Sequence, residues 1–163
     1  MEFKVGDNAV VPNHGVGMVT AIRDVEVAGQ TYNMYIIEMV EKGNPLKFEV
    51  PVNSLGANGV REVIPVDAVE RIYDVLRDKD TPADKQTWNR RYREYTNKIK
   101  TGDPLQVAAV LRDLSRLKTE KTLSFGERKM FDLASSLIIE EVAISRGVEQ
   151  AVIEAELDEI FNS

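Results

Sequence analysis

One short segment of the chain combines residues that bind phosphate with residues that stack on bases. Residues 87–95 read TWNRRYREY and join the only tryptophan, Trp88, to three arginines. On a helix, Trp88 and Arg91 share one face, and Arg90 and Arg93 flank that face. Arginines bind phosphates through paired hydrogen bonds, and an aromatic ring stacks on an unpaired base or wedges into an opened base step. The segment therefore predicts contact with DNA that is bent or beginning to melt.

Further cations extend this predicted DNA site. Lys98 follows on the same predicted helix, and Arg128 and Lys129 stand near the start of a later helix, where exposed backbone N–H groups also favour phosphate. Residues 86–130 contain 11 Lys and Arg against 5 Asp and Glu, although the whole chain carries a net charge of −6. This concentration of basic charge predicts a local nucleic-acid surface on an acidic protein, whereas a free-standing DNA-binding protein is disfavoured by the overall charge.

The same tryptophan has a second interpretation. A single tryptophan in a helix commonly packs in the core, and the arginines beside it then form a solvated helix face. In that case the chain is a protein-binding adaptor with a structural Trp88 and no direct DNA role. The residue pattern alone leaves both alternatives open.

Two hydrophobic periodicities indicate the elements that position these residues. Up to about Pro65, short stretches rich in Val and Ile are separated by Gly, Asn and Pro, such as the Gly43-Asn44-Pro45 turn, which predicts about five antiparallel strands in a small barrel. From Val66 onward the apolar spacing is helical, beginning with the stripe Val69, Ile72, Tyr73 and Leu76, and about five helices are expected. We therefore predict an α+β fold with domains at residues 1–64 and 65–163.

Helix boundaries are indicated by capping residues. Asp103-Pro104 and Thr81-Pro82 each combine an N-cap residue with proline at the first helical position. Ser124 and Glu127 have the spacing of a capping box, and Gly102 after Lys98 and Lys100 is typical of a helix end. These signals predict where three helices begin and where one stops.

The composition excludes several classes of function. The absence of cysteine excludes disulfides, thiol nucleophiles and thiolate metal sites, and His14, the only histidine, lies in a Pro-Asn-His-Gly turn. No phosphate-binding glycine loop and no metal-ligand spacing occurs in the sequence. We expect no catalytic residue, no cofactor and no metal, and hence a protein that is not an enzyme. Without a long apolar run or a signal-peptide pattern, we expect it in the cytoplasm and not in a membrane.

Taken together, these motifs resemble the CarD/CdnL family of bacterial transcription regulators. The resemblance rests on five stretches that cover essentially the whole chain: FKVGD-x-x-V-x-P-x-x-G from Phe3, GVRE at 59–62, WNRRY at 88–92, K-x-G-D ending at Asp103, and SFGERKM at 124–130. Two linked halves in this order are far more specific than a small glycine-punctuated barrel alone.

The resemblance implies a function for each half. It implies a Tudor-like (SH3-like) N-terminal barrel that binds the β subunit of RNA polymerase, and a helical domain that contacts promoter DNA near the upstream edge of the melted bubble. Trp88 would then prop the minor groove open while Arg90, Arg91 and Arg93 hold phosphates, which stabilises the open promoter complex. The implied partner is the holoenzyme that contains the housekeeping sigma factor.

The polymerase-binding residues implied by the resemblance lie at the end of the last long barrel strand, at Lys47, Glu49, Val50 and Pro51. Some relatives have arginine where this chain has Glu49. Docking by strand addition relies mainly on backbone hydrogen bonds and tolerates such a change, and a charged residue at a strand edge also protects against aggregation. We expect a monomer in solution.

Overall fold

The computed structural model describes residues 2–39, 46–82 and 85–163. The chain folds into two compact units, Met1–Val63 and Ile64–Ser163. This division falls one residue before the boundary expected from the change in periodicity. The functions expected of the two domains stay predictions.

The first unit is a five-stranded antiparallel sheet. Its strands are β1 (Asn8–Val11), β2 (Gly15–Val27), β3 (Gln30–Met39), β4 (Lys47–Pro51) and β5 (Arg61–Glu62), in the order β4-β3-β2-β1-β5. The five predicted strands and the α+β class are confirmed. Among the described residues, β4 and β5 form the two edges of this sheet and do not pair with each other.

Alternating burial explains why these segments form a sheet. The strands turn one set of side chains into a core around Phe3, Val19, Tyr35, Ile37 and Val50. The long β2–β3 hairpin closes through Ala28 and Gly29, whose φ angles of 53° and 80° are the positive values that a two-residue turn of this twist requires. The predicted Gly43-Asn44-Pro45 turn lies outside the described residues.

The second unit consists of helices. They are α1 (Val69–Arg77), α2 (Trp88–Lys100), α3 (Pro104–Glu120), α4 (Phe125–Arg146) and α5 (Gln150–Phe161). All four residues of the predicted first stripe are buried in one core, together with apolar residues of the other four helices. The prediction of about five helices is confirmed, and none in the described part of the chain is long and apolar enough to cross a membrane.

Three of the four predicted helix boundaries are confirmed. The Asp103 carboxylate accepts from the backbone N–H of Leu105 at 2.9 Å, and the Ser124 capping box is formed in both directions. Gly102, with a φ of 74°, follows the end of α2. These helices therefore begin or end where local hydrogen bonding alone directs them.

The prediction that a helix begins at Thr81-Pro82 is wrong. Both residues are non-helical, and α2 begins only at Trp88. The side chain of Asp78 instead accepts hydrogen bonds from the backbone N–H groups of Asp80 and Thr81, at 2.8 and 3.3 Å, and from the Thr81 hydroxyl. Thr81 thus closes a turn after α1 and does not cap a helix. Residues 83–84 lie outside the described part of the chain.

Candidate nucleic-acid interface

The centre of the site is the contact between the first turns of α2 and α4. Trp88, the first residue of α2, is half-buried and packs against the helical core. A Cβ atom built on Gly126 would lie 3.4 Å from Nε1 and 3.5 Å from Cζ2 of Trp88. The indole therefore rests directly against the backbone of α4, and a methyl group at position 126 would already be in van der Waals contact with it.

Other aromatic rings surround the indole. The ring centroids of Tyr92 and Tyr95 lie 5.7 and 6.5 Å from that of Trp88, both in edge-on arrangements. Tyr95 is buried, whereas Tyr92 is 51% exposed. The aromatic cluster thus has one side in the core and one side in solvent. This arrangement is compatible with both roles considered for Trp88, packing in the core and contact at the surface.

Arg91 has partners inside the protein. Its Cζ atom lies 5.4 Å from the centroid of the Trp88 ring, and its Nη2 lies 3.4 Å from Oε2 of Glu127. Its Nε donates to the backbone carbonyl of Gln86 at 3.2 Å. Only 12% of the Arg91 side chain is exposed. The arginine therefore connects α2 to α4 from beneath the indole.

Glu127 is the acceptor around which this arrangement is built. Its side chain is 2% exposed, and the carboxylate accepts from the backbone N–H of Ser124 at 2.9 Å and from Nζ of Lys121 at 3.1 Å, in addition to Arg91. Burial raises the pKa of Glu127, but the hydrogen bonds from Ser124 and Lys121 outweigh burial and hold the pKa below its ordinary value. The carboxylate is thus ionised at neutral pH and gives Arg91 and Lys121 a fixed counter-charge.

The remaining predicted DNA-binding cations are more accessible. Arg90, Arg93, Arg128 and Lys129 are exposed, and in the described part of the chain no carboxylate forms an ion pair with any of them. Trp88 touches Gly126, and each of these four cations lies within five residues of one of these two positions along the chain. Lys98 is apart from them, since ten helical residues separate it from Trp88 by about 15 Å.

One residue of this region, Phe125, was not predicted from the sequence to contribute to it, and Lys121 was expected there only as one of several cations near the start of α4. Phe125 is 78% exposed, and Nζ of Lys129 lies 5.3 Å from the centroid of its ring. Lys121 anchors Glu127 from the segment before α4. The capping-box spacing indicated that Glu127 turns back toward its own helix start, but no sequence signal connected it to Arg91.

The predicted polymerase-binding residues lie on strand β4, at one edge of the sheet. Lys47 and Glu49 are exposed, and Nζ of Lys47 lies 3.6 Å from the carboxylate of Glu38 on β3. Val50 is 6% exposed and belongs to the core, and Pro51 is half-buried. The edge therefore offers backbone groups and two charged side chains, while the side chain of Val50 holds the strand in place.

Comparisons with known proteins agree with both halves of the structure. The family description "CarD-like/TRCF RID domain" matches residues 3–64, and "CarD, C-terminal domain" matches residues 71–158. A protein described as putative transcription factor YdeB of Bacillus subtilis is 31% identical over 153 residues, which are 94% of this chain and 98% of that protein. The chain belongs to the CarD family. The CarD resemblance inferred from the motifs is thereby confirmed, as is an assignment to transcription regulation.

Each of the two CarD matches coincides with one of the two compact units. The RID match falls within Met1–Val63 except for its last residue, and the C-terminal match falls within Ile64–Ser163. Among the described residues, no group of three or more His, Cys, Asp or Glu side chains could hold a metal ion.

Proposed function

We propose that this CarD-family protein binds the β subunit of RNA polymerase through its sheet and promoter DNA through its helical unit, and so stabilises the open promoter complex. The observation that carries the proposal is the half-buried Trp88, which is fixed against α4 and has accessible cations within five residues on both helices. The matches to CarD-family domains and to a transcription factor support it.

The proposed wedge is Trp88, entering the minor groove at the upstream edge of the bubble. A side chain that enters an opened base step must keep its orientation without help from the DNA, because ordering a loose side chain opposes binding. Contact with Gly126 and with the Arg91 guanidinium supplies that support. We therefore assign Arg91 to positioning Trp88, in addition to the phosphate contact expected from the sequence.

The proposed phosphate contacts lie on α2 and at the start of α4, the two helices that meet at Trp88. Arg90, Arg93, Arg128 and Lys129 are free of ion pairs with described carboxylates, so a DNA backbone meets little competition for them. Lys98, farther along α2, would reach a more distant phosphate. Such contacts alone give weak, salt-sensitive binding, with a Kd of roughly 10⁻⁴ to 10⁻⁶ M.

Attachment to polymerase compensates for this weakness. Tethering raises the effective concentration of the helical unit at the promoter to about millimolar. One aromatic stack contributes about 1 to 3 kcal/mol, which lengthens the open-complex lifetime by about five- to 150-fold. Because the contacts respond to backbone and shape, we expect little base specificity.

The proposed polymerase contact is strand addition at the free edge of β4. An edge strand presents unpaired backbone N–H and C=O groups that a strand of a partner can bind. Lys47 and Glu49 project from this edge and would adjust the affinity, while Val50 and Pro51 shape its end. We expect the partner to be the holoenzyme with the housekeeping sigma factor, and the regulator to act there as a monomer in the cytoplasm.

One alternative has an observation in its favour. Trp88 packs against the helical core, as a purely structural tryptophan would, and the protein would then be a polymerase-binding adaptor without a DNA role. The two proposals differ in what Trp88→Ala does, because loss of a core side chain unfolds the helical unit whereas loss of a wedge leaves it folded.

The deciding experiment measures the lifetime of competitor-challenged open complexes formed by the cognate polymerase on a ribosomal RNA promoter. Wild-type protein should lengthen the lifetime, and Trp88→Ala should lose the effect while its circular dichroism melt stays cooperative. Tyr32→Ala, an exposed aromatic of the β2–β3 hairpin, is the matched control and should behave as wild type. If wild-type protein binds polymerase and leaves the lifetime unchanged, the adaptor alternative holds.

A further inference from the structure

A cavity of about 190 Å³ lies beside the candidate interface, between α2 and α3. Its lining includes three cationic residues, Lys85, Arg91 and Arg116. Tyr95 and two carboxylates, Asp113 and Glu120, complete the polar part of the wall.

The two carboxylates do not neutralise the cations of this cavity. Asp113 already accepts from Nε of Arg112 at 3.1 Å, and Nη2 of Arg112 forms an ion pair with the same carboxylate oxygen at 3.1 Å. Glu120 lies exposed at the end of α3. In the described part of the chain, neither carboxylate forms an ion pair with Lys85 or Arg116. Among the described residues, Lys85 and Arg116 thus line the cavity without an ion pair, and the lining as a whole has three cations and two carboxylates.

Arg116 has a buried hydrogen-bond donor that is relevant to ligand binding. Its Nη1 is buried and has no hydrogen-bond acceptor among the described residues. A buried donor without an acceptor is unfavourable, and native proteins leave few of them. Arg116 lines the cavity, so a small rotation of its guanidinium would bring this donor to an anion bound there.

Arg116 also borders a second cavity, but that one is less suited to an anion. There the cations already have partners, since Arg112 lies 3.4 Å from the Asp78 carboxylate and Lys79 donates to the carbonyl of Ser163 at 2.9 Å. In the cavity with Lys85, Arg116 meets a second cation that has neither an ion pair nor a hydrogen bond among the described residues.

We propose that the cavity between α2 and α3 binds a phosphate group. Phosphate oxygens accept several hydrogen bonds and match the planar fork of an arginine, while a lysine adds a charge from the rim. Two sources share this chemistry: the backbone of bound DNA and a free phosphorylated molecule. The site is distinct from the Trp88 wedge, although Arg91 belongs to both surroundings.

Pyrophosphate is the probe for this site, and isothermal calorimetry on the full chain at constant ionic strength is the measurement. Saturable binding is expected for wild-type protein. Arg116→Met keeps the apolar stem and removes the charge, and it should weaken the affinity about tenfold or more. Arg71→Met, on the exposed face of α1, is the matched control and should bind as wild type.

A second variant keeps the test decisive if Arg116→Met does not fold. Lys85 is exposed and lies outside the helices, so Lys85→Met should fold normally and still weaken binding several-fold. The proposal is overturned if wild-type protein shows no saturable binding, or if folded Arg116→Met and Lys85→Met both bind pyrophosphate as tightly as wild type.

A competition experiment identifies the source of the phosphate. Displacement of pyrophosphate by a duplex oligonucleotide supports a backbone phosphate and extends the DNA surface to α3. Simultaneous binding of both supports a free phosphorylated molecule as the ligand. Since neither measurement uses polymerase, failure of the phosphate site and failure of the proposed function are distinguishable.

Discussion

Glu127→Gln tests whether the buried carboxylate holds the first turns of α2 and α4 together. The amide keeps an oxygen that accepts from the backbone N–H of Ser124, but it removes the charge that faces Arg91 and Lys121. The substitution therefore separates the ion pairs from the capping hydrogen bond. We expect the helical unit to lose stability and Trp88 to become more mobile.

The magnitude follows from the exposure of the two cations. Breaking a fully buried pair costs about 3–5 kcal/mol, whereas an exposed pair contributes about 0–1 kcal/mol. The Arg91 side chain is 12% exposed and keeps its hydrogen bond to Gln86, and the Lys121 side chain is 50% exposed. We expect a loss of about 2–3 kcal/mol, which lowers the Tm of a unit of this size by about 10–20 °C.

The pH dependence provides a second, independent readout. The pKa of Glu127 is lower in the folded protein than its ordinary value of 4.5, so the unfolded chain takes up the proton first as the pH falls. The stability that ionised Glu127 contributes is therefore present above pH 4.5 and is lost as the pH falls through the lower, folded pKa. The difference in Tm between wild type and Glu127→Gln should shrink over that acidic range.

Thermal denaturation by circular dichroism, with acrylamide quenching of Trp88 fluorescence, measures both effects. Glu70→Gln on the exposed face of α1 is the control, because its ion pair with Arg77 is solvated and the change should stay within about 0.5 kcal/mol. The double variant Arg91→Met/Glu127→Gln should lose less stability than the sum of the losses in the two single variants. A Tm of Glu127→Gln equal to that of wild type, with unchanged quenching, would refute the reasoning.

Three further outcomes are expected. Burial and a hydrogen bond to Glu156 raise the pKa of Tyr73 from 10.0 to about 12. The stability that this shift provides is therefore present below pH 10 and lost as the pH rises to 12. Because solvent screens part of the interaction, denaturant melts of wild type should show a loss of about 1–2 kcal/mol over this range, and melts of Tyr73→Phe should not. Gly126→Ala should raise the Tm by a few degrees, because its methyl group meets Trp88 at ordinary contact distance and alanine favours helices, whereas Gly126→Leu should displace the indole and shorten open-complex lifetimes. Glu49→Ala should change the affinity for polymerase less than about threefold in a binding assay, and a loss above about tenfold would show that side chains, not the strand edge, dominate docking.

The elements of the fold were predictable because their causes are local. The stripe from Val69 to Leu76, the Ser124 capping box and the Asp103 cap each depend on residues within one or two turns of each other, and all three are present in the structure. Thr81-Pro82 has the same local pattern as Asp103-Pro104 and begins no helix. There the backbone N–H groups of Asp80 and Thr81 donate to Asp78, which lies outside the two-residue motif, and these hydrogen bonds form a turn instead of a helix start.

The candidate site could be predicted only in its composition. The sequence by itself determined that Trp88, the arginines around it and the basic start of α4 belong to the half of the chain that matches the CarD C-terminal domain, since residue types, spacing and caps are encoded along a continuous stretch. Only the tertiary structure decided that Arg91 turns to Glu127, 36 residues away, and that Trp88 lies on Gly126. It alone placed Arg116 beside a cavity and left its Nη1 without a hydrogen-bond acceptor among the described residues. The physical reason is that these contacts depend on where α2, α3 and α4 cross, and those crossings are set by the packing of the whole core, which no local window of sequence contains.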